Sequence, residues 1–289
     1  MKSELHKSPK TICGQCILMV SQIIKKLHLL SFDVVLGAIV GNMMFWKLPD
    51  GNGKIDTMTP IVLGSCTWII YILDRILDNL KPLSKQTVRH LFHEKYKNQL
   101  QVFVLLLFII SVTLLFYLST KTIQFGLFLF IPLIIYFFAF FKFKINYIKE
   151  PFTAFFYTAA VSGTALVNQS NQNLINHVLA LGLFCVAFQN LLIFSLFEIY
   201  DDKARDNLVS KIGKKPTIIA IVLLFLLIIN SFALSYSSTT HYQVKCQICI
   251  VLMSTVLLLI TFFPRYFLKN DRYRWVGDAV FFIPIFILK

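Results

Sequence analysis

The sequence predicts an all-α polytopic membrane protein, a single bundle of about nine transmembrane helices. Three observations predict it. The 289 residues are 57% hydrophobic and 15% charged, with 29 Phe, whereas soluble domains average about 45–50% apolar and about 25% charged. Apolar runs of about 17–25 residues recur along the chain, each long enough to cross about 30 Å of hydrocarbon. Lys and Arg gather in alternate connections, as the positive-inside rule requires of a chain that crosses repeatedly. A net charge of +14 in a soluble chain would suggest a nucleic-acid partner. Its placement assigns it to membrane topology, so the expected surroundings are lipid and no nucleic acid.

Residues 1–28 read as a basic cytoplasmic or interfacial segment, and 29–289 as one transmembrane domain. The short apolar piece Ile17 to Val20 is followed by further Lys, unlike a cleavable signal. Ile17, Met19, Val20, Ile23, Ile24 and Leu27 would give an interfacial helix its apolar side, with Lys25 and Lys26 beside anionic head groups. A plain cytoplasmic tail fits the same composition. Spans are expected at 29–46, 59–79, 100–118, 123–141, 151–167, 178–200, 216–236, 246–263 and 273–288. The basic connections follow spans 2, 4, 6 and 8, so the N-terminus lies inside and the C-terminus outside the cytoplasmic membrane.

Span 1 carries Asp33, expected to cap its helix or to pair with Lys, and Asn42 towards its other end. Pro49-Asp50-Gly51-Asn52-Gly53 is turn chemistry throughout. Span 2 ends in Tyr71-Ile72-Leu73-Asp74-Arg75-Ile76-Leu77-Asp78. Its four polar side chains fall at i, i+3, i+4 and i+7, on one helix face. A carboxylate there would cost several kcal/mol in hydrocarbon, so the face lines a polar cavity and is a functional candidate. In the connection that follows, His90, His93 and Glu94 form either a metal-binding group or, more simply, a solvated helix face. Spans 3 and 4 are wall, with Pro132 a kink. Lys142 and Lys144 follow span 4 as topology anchors or as point charges for phosphate, before Lys149-Glu150-Pro151 opens span 5.

Span 6 runs through Gln189 and Asn190 into Glu198, Asp201, Asp202 and Asp206. Glu198, Asp202 and Asp206 recur every four residues, a spacing at which like charges repel. This acidic helix end lies on the same side as that of span 2. A divalent metal between the two stretches is the simplest way to relieve their repulsion. Spans 7 to 9 are apolar apart from Asp278, expected to cap its helix or to pair with Arg. Cys13-Gly14-Gln15-Cys16 and Cys246-Gln247-Ile248-Cys249 fall on opposite sides of the membrane, which excludes one shared four-thiolate site. Their cysteines read as small apolar residues.

These motifs resemble the UbiA superfamily of intramembrane prenyltransferases. That family has nine helices, an Asn-Asp-x-x-Asp-x-x-x-Asp motif ending helix 2 and an Asp-x-x-x-Asp motif ending helix 6. Asp74-Arg75-Ile76-Leu77-Asp78 is similar to the second half of the first motif, Asp202-Lys203-Ala204-Arg205-Asp206 to the second, and Gly213-Lys214-Lys215-Pro216-Thr217 to a downstream segment. Ile70 and Tyr71 stand where the family has Asn and Asp, which marks a divergent branch. The resemblance implies magnesium held by Asp74, Asp78, Asp202 and Asp206, with Glu198 as a replacement ligand. It implies a polyprenyl diphosphate donor contacted by Tyr71, Arg75, Lys142 and Lys144. The expected reaction is prenyl transfer from that donor to a lipophilic or aromatic acceptor. A terpene cyclase of the same family and a non-catalytic, lipid-binding relative are the alternatives. A phosphotransferase of nucleotide-activated alcohols would need an Asp-Gly-x-x-Ala-Arg run that is absent. A transporter would place its ionisable groups near the bilayer midplane, whereas these cluster at one end.

Overall fold

The computed structural model describes residues 22–79, 88–143, 146–170, 173–201 and 207–288. Among them the regular structure is helical, with no strand. Helix α1 covers residues 22–29, followed by α2 (Phe32–Trp46), α3 (Met58–Asp78), α4 (Val88–Lys95), α5 (Lys97–Leu114) and α6 (Thr120–Phe143). Then come α7 (Lys149–Thr158), α8 (Thr164–Leu166), α9 (Leu174–Asp201), α10 (Leu208–Ile212), α11 (Lys214–Ser235), α12 (His241–Phe262), α13 (Pro264–Phe267) and α14 (Arg272–Ala279).

Among the described residues, five stretches are long and apolar enough to cross a membrane: Met58–Leu77, Lys97–Tyr117, Leu174–Tyr200, Lys214–Ser238 and His241–Phe262. Helix α2 and the Thr120–Tyr136 part of α6 are apolar but shorter. The remaining two predicted spans are helical and interrupted. At 151–167 a π-helical turn, Ala159–Gly163, separates α7 from α8. Asn42 Nδ2 of α2 donates to the Val161 carbonyl of this turn at 2.7 Å and to Thr164 Oγ1 at 2.9 Å. At 273–288, α14 tightens into a 3-10 segment, Val280–Ile287, that contains Pro284. Proline has no N–H for an α-helical ladder.

Helix α9 is the hub. It packs against α7, α10, α11, α12 and α14, while α2 packs against α3, the π turn and the 3-10 segment. Polar side chains inside this core bond across helices, as they must where no water competes. Gln189 Nε2 donates to the Ile221 carbonyl at 2.8 Å and its Oε1 accepts from Ser254 Oγ at 2.6 Å, which ties α9 to α11 and α12. Gln243 Nε2 donates to Asn176 Oδ1 at 2.8 Å. The outer helices are the reverse: only 11% of the apolar stretch of α5 is buried within the protein, and Val102, Leu105, Leu106, Phe108 and Ile109 project outward. A face of this size needs an apolar solvent.

Cys246 and Cys249 are buried free thiols of α12, in keeping with the small-apolar reading; Cys13 and Cys16 lie outside the described residues. Ile23 and Ile24 of α1 are exposed beside Lys25 and Lys26.

Candidate functional site

The polar end of α3 meets the start of α7. Lys149 Nζ lies 2.9 Å from Oδ1 and 3.1 Å from Oδ2 of Asp74, so both carboxylate oxygens face one ammonium. Tyr71, Asp74 and Arg75 are partly buried, whereas Leu73 on the opposite face is exposed. The shared face predicted from the i, i+3, i+4 spacing is therefore turned inward for these three.

The next residue continues the link to α9. Glu150 is buried, and its Oε1 accepts from Ser195 Oγ of α9 at 2.6 Å and from the backbone N–H of Leu208 at 3.2 Å. Leu208 opens α10, whose first N–H groups have no partner within the helix; Glu150 takes that of Leu208, and Asn207 Oδ1 takes that of Ser210 at 3.0 Å. One turn beyond Ser195, Glu198 Oε1 accepts from Arg274 Nη2 of α14 at 2.6 Å, and Arg274 Nε donates to the Tyr273 hydroxyl at 2.9 Å. Lys149 and Glu150 thus place Asp74 of α3 and the Ser195–Glu198 turn of α9 at the same end of the bundle. Further along, Lys214 sits over the Tyr200 ring at 4.3 Å.

Of the residues singled out in the sequence, Tyr71, Asp74, Arg75 and Glu198 are gathered at this end. The side chains of Asp78 and Lys142 lie outside the described residues, as do Lys144, Asp202 and Asp206. Hard carboxylate oxygens suit magnesium. Asp74 and Glu198 supply that chemistry, each held by a basic side chain that a metal-bound ligand would have to rearrange.

Beside this group lies a second polar cluster that the sequence reading did not assemble. His28 Nδ1 bonds Asp33 Oδ2, and the imidazole stacks on Trp275 with ring centroids 3.9 Å apart. Asp33 Oδ1 accepts from the Val34 N–H at 3.0 Å. Asp278 is buried at 4% exposure close to Asn190, and its Oδ2 has no partner among the described residues. Asp33 therefore pairs with His rather than Lys. Asp278 neither caps α14 nor forms an ion pair with Arg among the described residues. Gly277 lets Asn190 approach, since a Cβ there would lie 2.5 Å from Asn190 Oδ1.

Helix α4 closes the cluster from the side. Arg89 Nη2 lies 3.4 Å from both His28 Nε2 and the His28 carbonyl, and His93 Nδ1 contacts the Arg89 carbonyl at 2.9 Å. The solvated face expected for His90, His93 and Glu94 holds for Glu94, but His93 is buried, as is Arg89, and the His90 side chain lies outside the described residues. Burial, with the Arg75 and Arg274 guanidinium groups nearby, brings Arg89 down to about 10, so it stays charged. Burial, with the Arg75 and Arg89 guanidinium groups nearby, pushes His93 down to about 4 and keeps it neutral. Arg89, Glu150 and Arg274 had no local signal, because each acts through a partner distant in sequence, and His28 reaches Asp33 across a turn of the backbone rather than at a helical spacing.

Fold and site together define an all-helical protein with helices suited to a membrane and a charged cluster at one end. Comparison of the chain with protein-family models, with curated proteins and with solved structures finds no match in any of the three.

Proposed function

We propose that the protein is a nine-crossing prenyltransferase of the UbiA type, which binds a polyprenyl diphosphate with magnesium and transfers the prenyl group to a lipophilic or aromatic acceptor. The orientation proposed is N-terminus in the cytoplasm, with the charged end at the cytoplasmic face. The observation that carries the reading is the pair Lys149–Asp74 beside Glu150–Ser195. It brings together the two helix ends whose acidic motifs the resemblance assigns to diphosphate binding.

In this reading Asp74, Asp78, Asp202 and Asp206, with Glu198, hold the metal. Magnesium would neutralise charge developing on the departing diphosphate. Lys149 exchanges its contact with Asp74 for a phosphate oxygen, a role open to a flexible ammonium. Arg75 holds a further phosphate oxygen or one of the acids. Tyr71 orients them from the same helix face. The apolar interior excludes water from the allylic carbon until the acceptor attacks.

The test is calorimetric binding of geranylgeranyl diphosphate to the detergent-purified chain, with magnesium and with chelator. Binding is expected to require the metal and to weaken at least about tenfold, roughly 1.4 kcal/mol, in Asp74→Asn. Equal binding in chelator, or in Asp74→Asn, would remove the metal-site argument. Failure with all donor chain lengths would favour the non-catalytic relative.

A further inference from the structure

The cluster of His28, Asp33 and Asp278 joins the end of α1 and the first turn of α2, which are neighbours in the chain, to the last turn of the distant α14. One ligand atom from each, a ring nitrogen and two carboxylate oxygens, lies within 4.8 Å of the others. Three atoms so placed share a centre no more than about 2.8 Å from each, and small rotations of the side chains close that to the roughly 2.0–2.2 Å of a metal bond. His28 and Asp278 are buried at 6% and 4% exposure.

A second observation points to an occupant. Asp278 Oδ2 is buried without a hydrogen bond among the described residues, and so is Oδ1 of the nearby Asn190. A buried carboxylate oxygen needs a cation, a donor or a proton. The basic groups at hand are held elsewhere. Arg274 contacts Glu198 and Tyr273, and Arg89 faces His28. No ion pair joins either arginine to Asp33 or Asp278 among the described residues.

We propose that His28, Asp33 and Asp278 bind one divalent first-row transition-metal ion, at a site separate from Asp74. An imidazole with two carboxylates suits manganese, iron, cobalt or zinc better than magnesium or calcium. Metal at Nδ1 displaces the Asp33 contact and moves the ring proton to Nε2. Arg89 Nη2 then keeps the His28 carbonyl, already 3.4 Å away, as its acceptor. Stacking on Trp275 holds the ring in place. The ion would pin α1 and α14 to α2 whether or not the protein transfers prenyl groups.

The test uses the full chain in detergent, stripped with chelator and titrated with Mn(II) and Co(II). One nitrogen-coordinated ion per chain is expected, with coupling from one imidazole in the pulsed EPR of the Mn(II) form; an ion taken up at the carboxylates near Asp74 would show no such coupling. Co(II) is expected to quench Trp275 emission, and Trp275→Phe to remove that quench while leaving the ion bound. Asp278→Asn and Asp33→Asn should lower affinity at least about tenfold, and Asp74→Asn should not. No uptake by the wild type, which would mean a proton shared between the carboxylates, overturns the site. So does binding without nitrogen coupling, or binding kept in Asp278→Asn and lost in Asp74→Asn. Should the Asp variants misfold, the coupling in the wild type and its loss in His28→Gln decide the matter.

Discussion

A lone ionisable residue in an apolar run carries little information until its partner is known. Asp278 reads as a helix cap, yet its helix end lies against α9 and α2, so the carboxylate is enclosed with Asn190 rather than turned to water. His93 shows the same thing on an amphipathic helix, where a polar pattern predicts solvent but the ring is buried against its own turn. Its held-down value has a consequence for stability. The unfolded chain takes up the His93 proton near its ordinary pKa of about 6.5, while the folded protein resists down to about 4. Protons therefore favour the unfolded state between those limits, and stability falls as pH drops through them. Thermal unfolding in detergent should show a loss of about 1.4 kcal/mol by about pH 5.5 from this group. In His93→Gln the acid dependence should flatten; an unchanged profile would exclude His93 as its source.

Between residues and the whole protein, helix ends and close approaches decide which substitutions the elements accept. Past the end of α2 the chain turns tightly, and a Cβ on Gly53 would lie 2.1 Å from the carbonyl oxygen of Trp46. Backbone cannot move aside as a side-chain tip can. Gly53→Ala should therefore destabilise by about 1–3 kcal/mol, read as a lower Tm. Gly126, in α6, has nothing within 4 Å of the same position. There, Gly126→Ala should be neutral or stabilise by about 0.5–1 kcal/mol, through helix propensity alone. Equal effects at the two sites would show that crowding at the turn has no influence. At the π turn, Asn42 of α2 donates to the Val161 carbonyl and so ties this irregular segment to a neighbouring helix.

At the scale of the molecule, topology is the first thing to measure. On a background without the native cysteines, single cysteines at Ser84 and Ser210 are expected to react with a membrane-impermeant maleimide from the cytoplasmic side. A cysteine at Asn171 is expected to react from the other. Any other pattern breaks the nine-crossing proposal, because one missed span reverses every later connection.

All-helical structure and the apolar, membrane-suited helices are legible in the chain itself. Long apolar runs leave the backbone no partner but itself, and helices satisfy that within one segment. The inward face of Tyr71, Asp74 and Arg75 is legible for a similar reason, since helical spacing alone puts them together. What only the tertiary structure decided is which charges meet. Lys149 with Asp74, Glu150 with Ser195, Arg274 with Glu198 and His28 with Asp33 and Asp278 are all contacts between elements. Most of these partners lie tens of residues or more apart in the chain, and even His28 and Asp33 are joined by a turn of the backbone rather than by helical spacing. Periodicity describes one helix at a time, whereas a pair across helices depends on packing angle and axial offset.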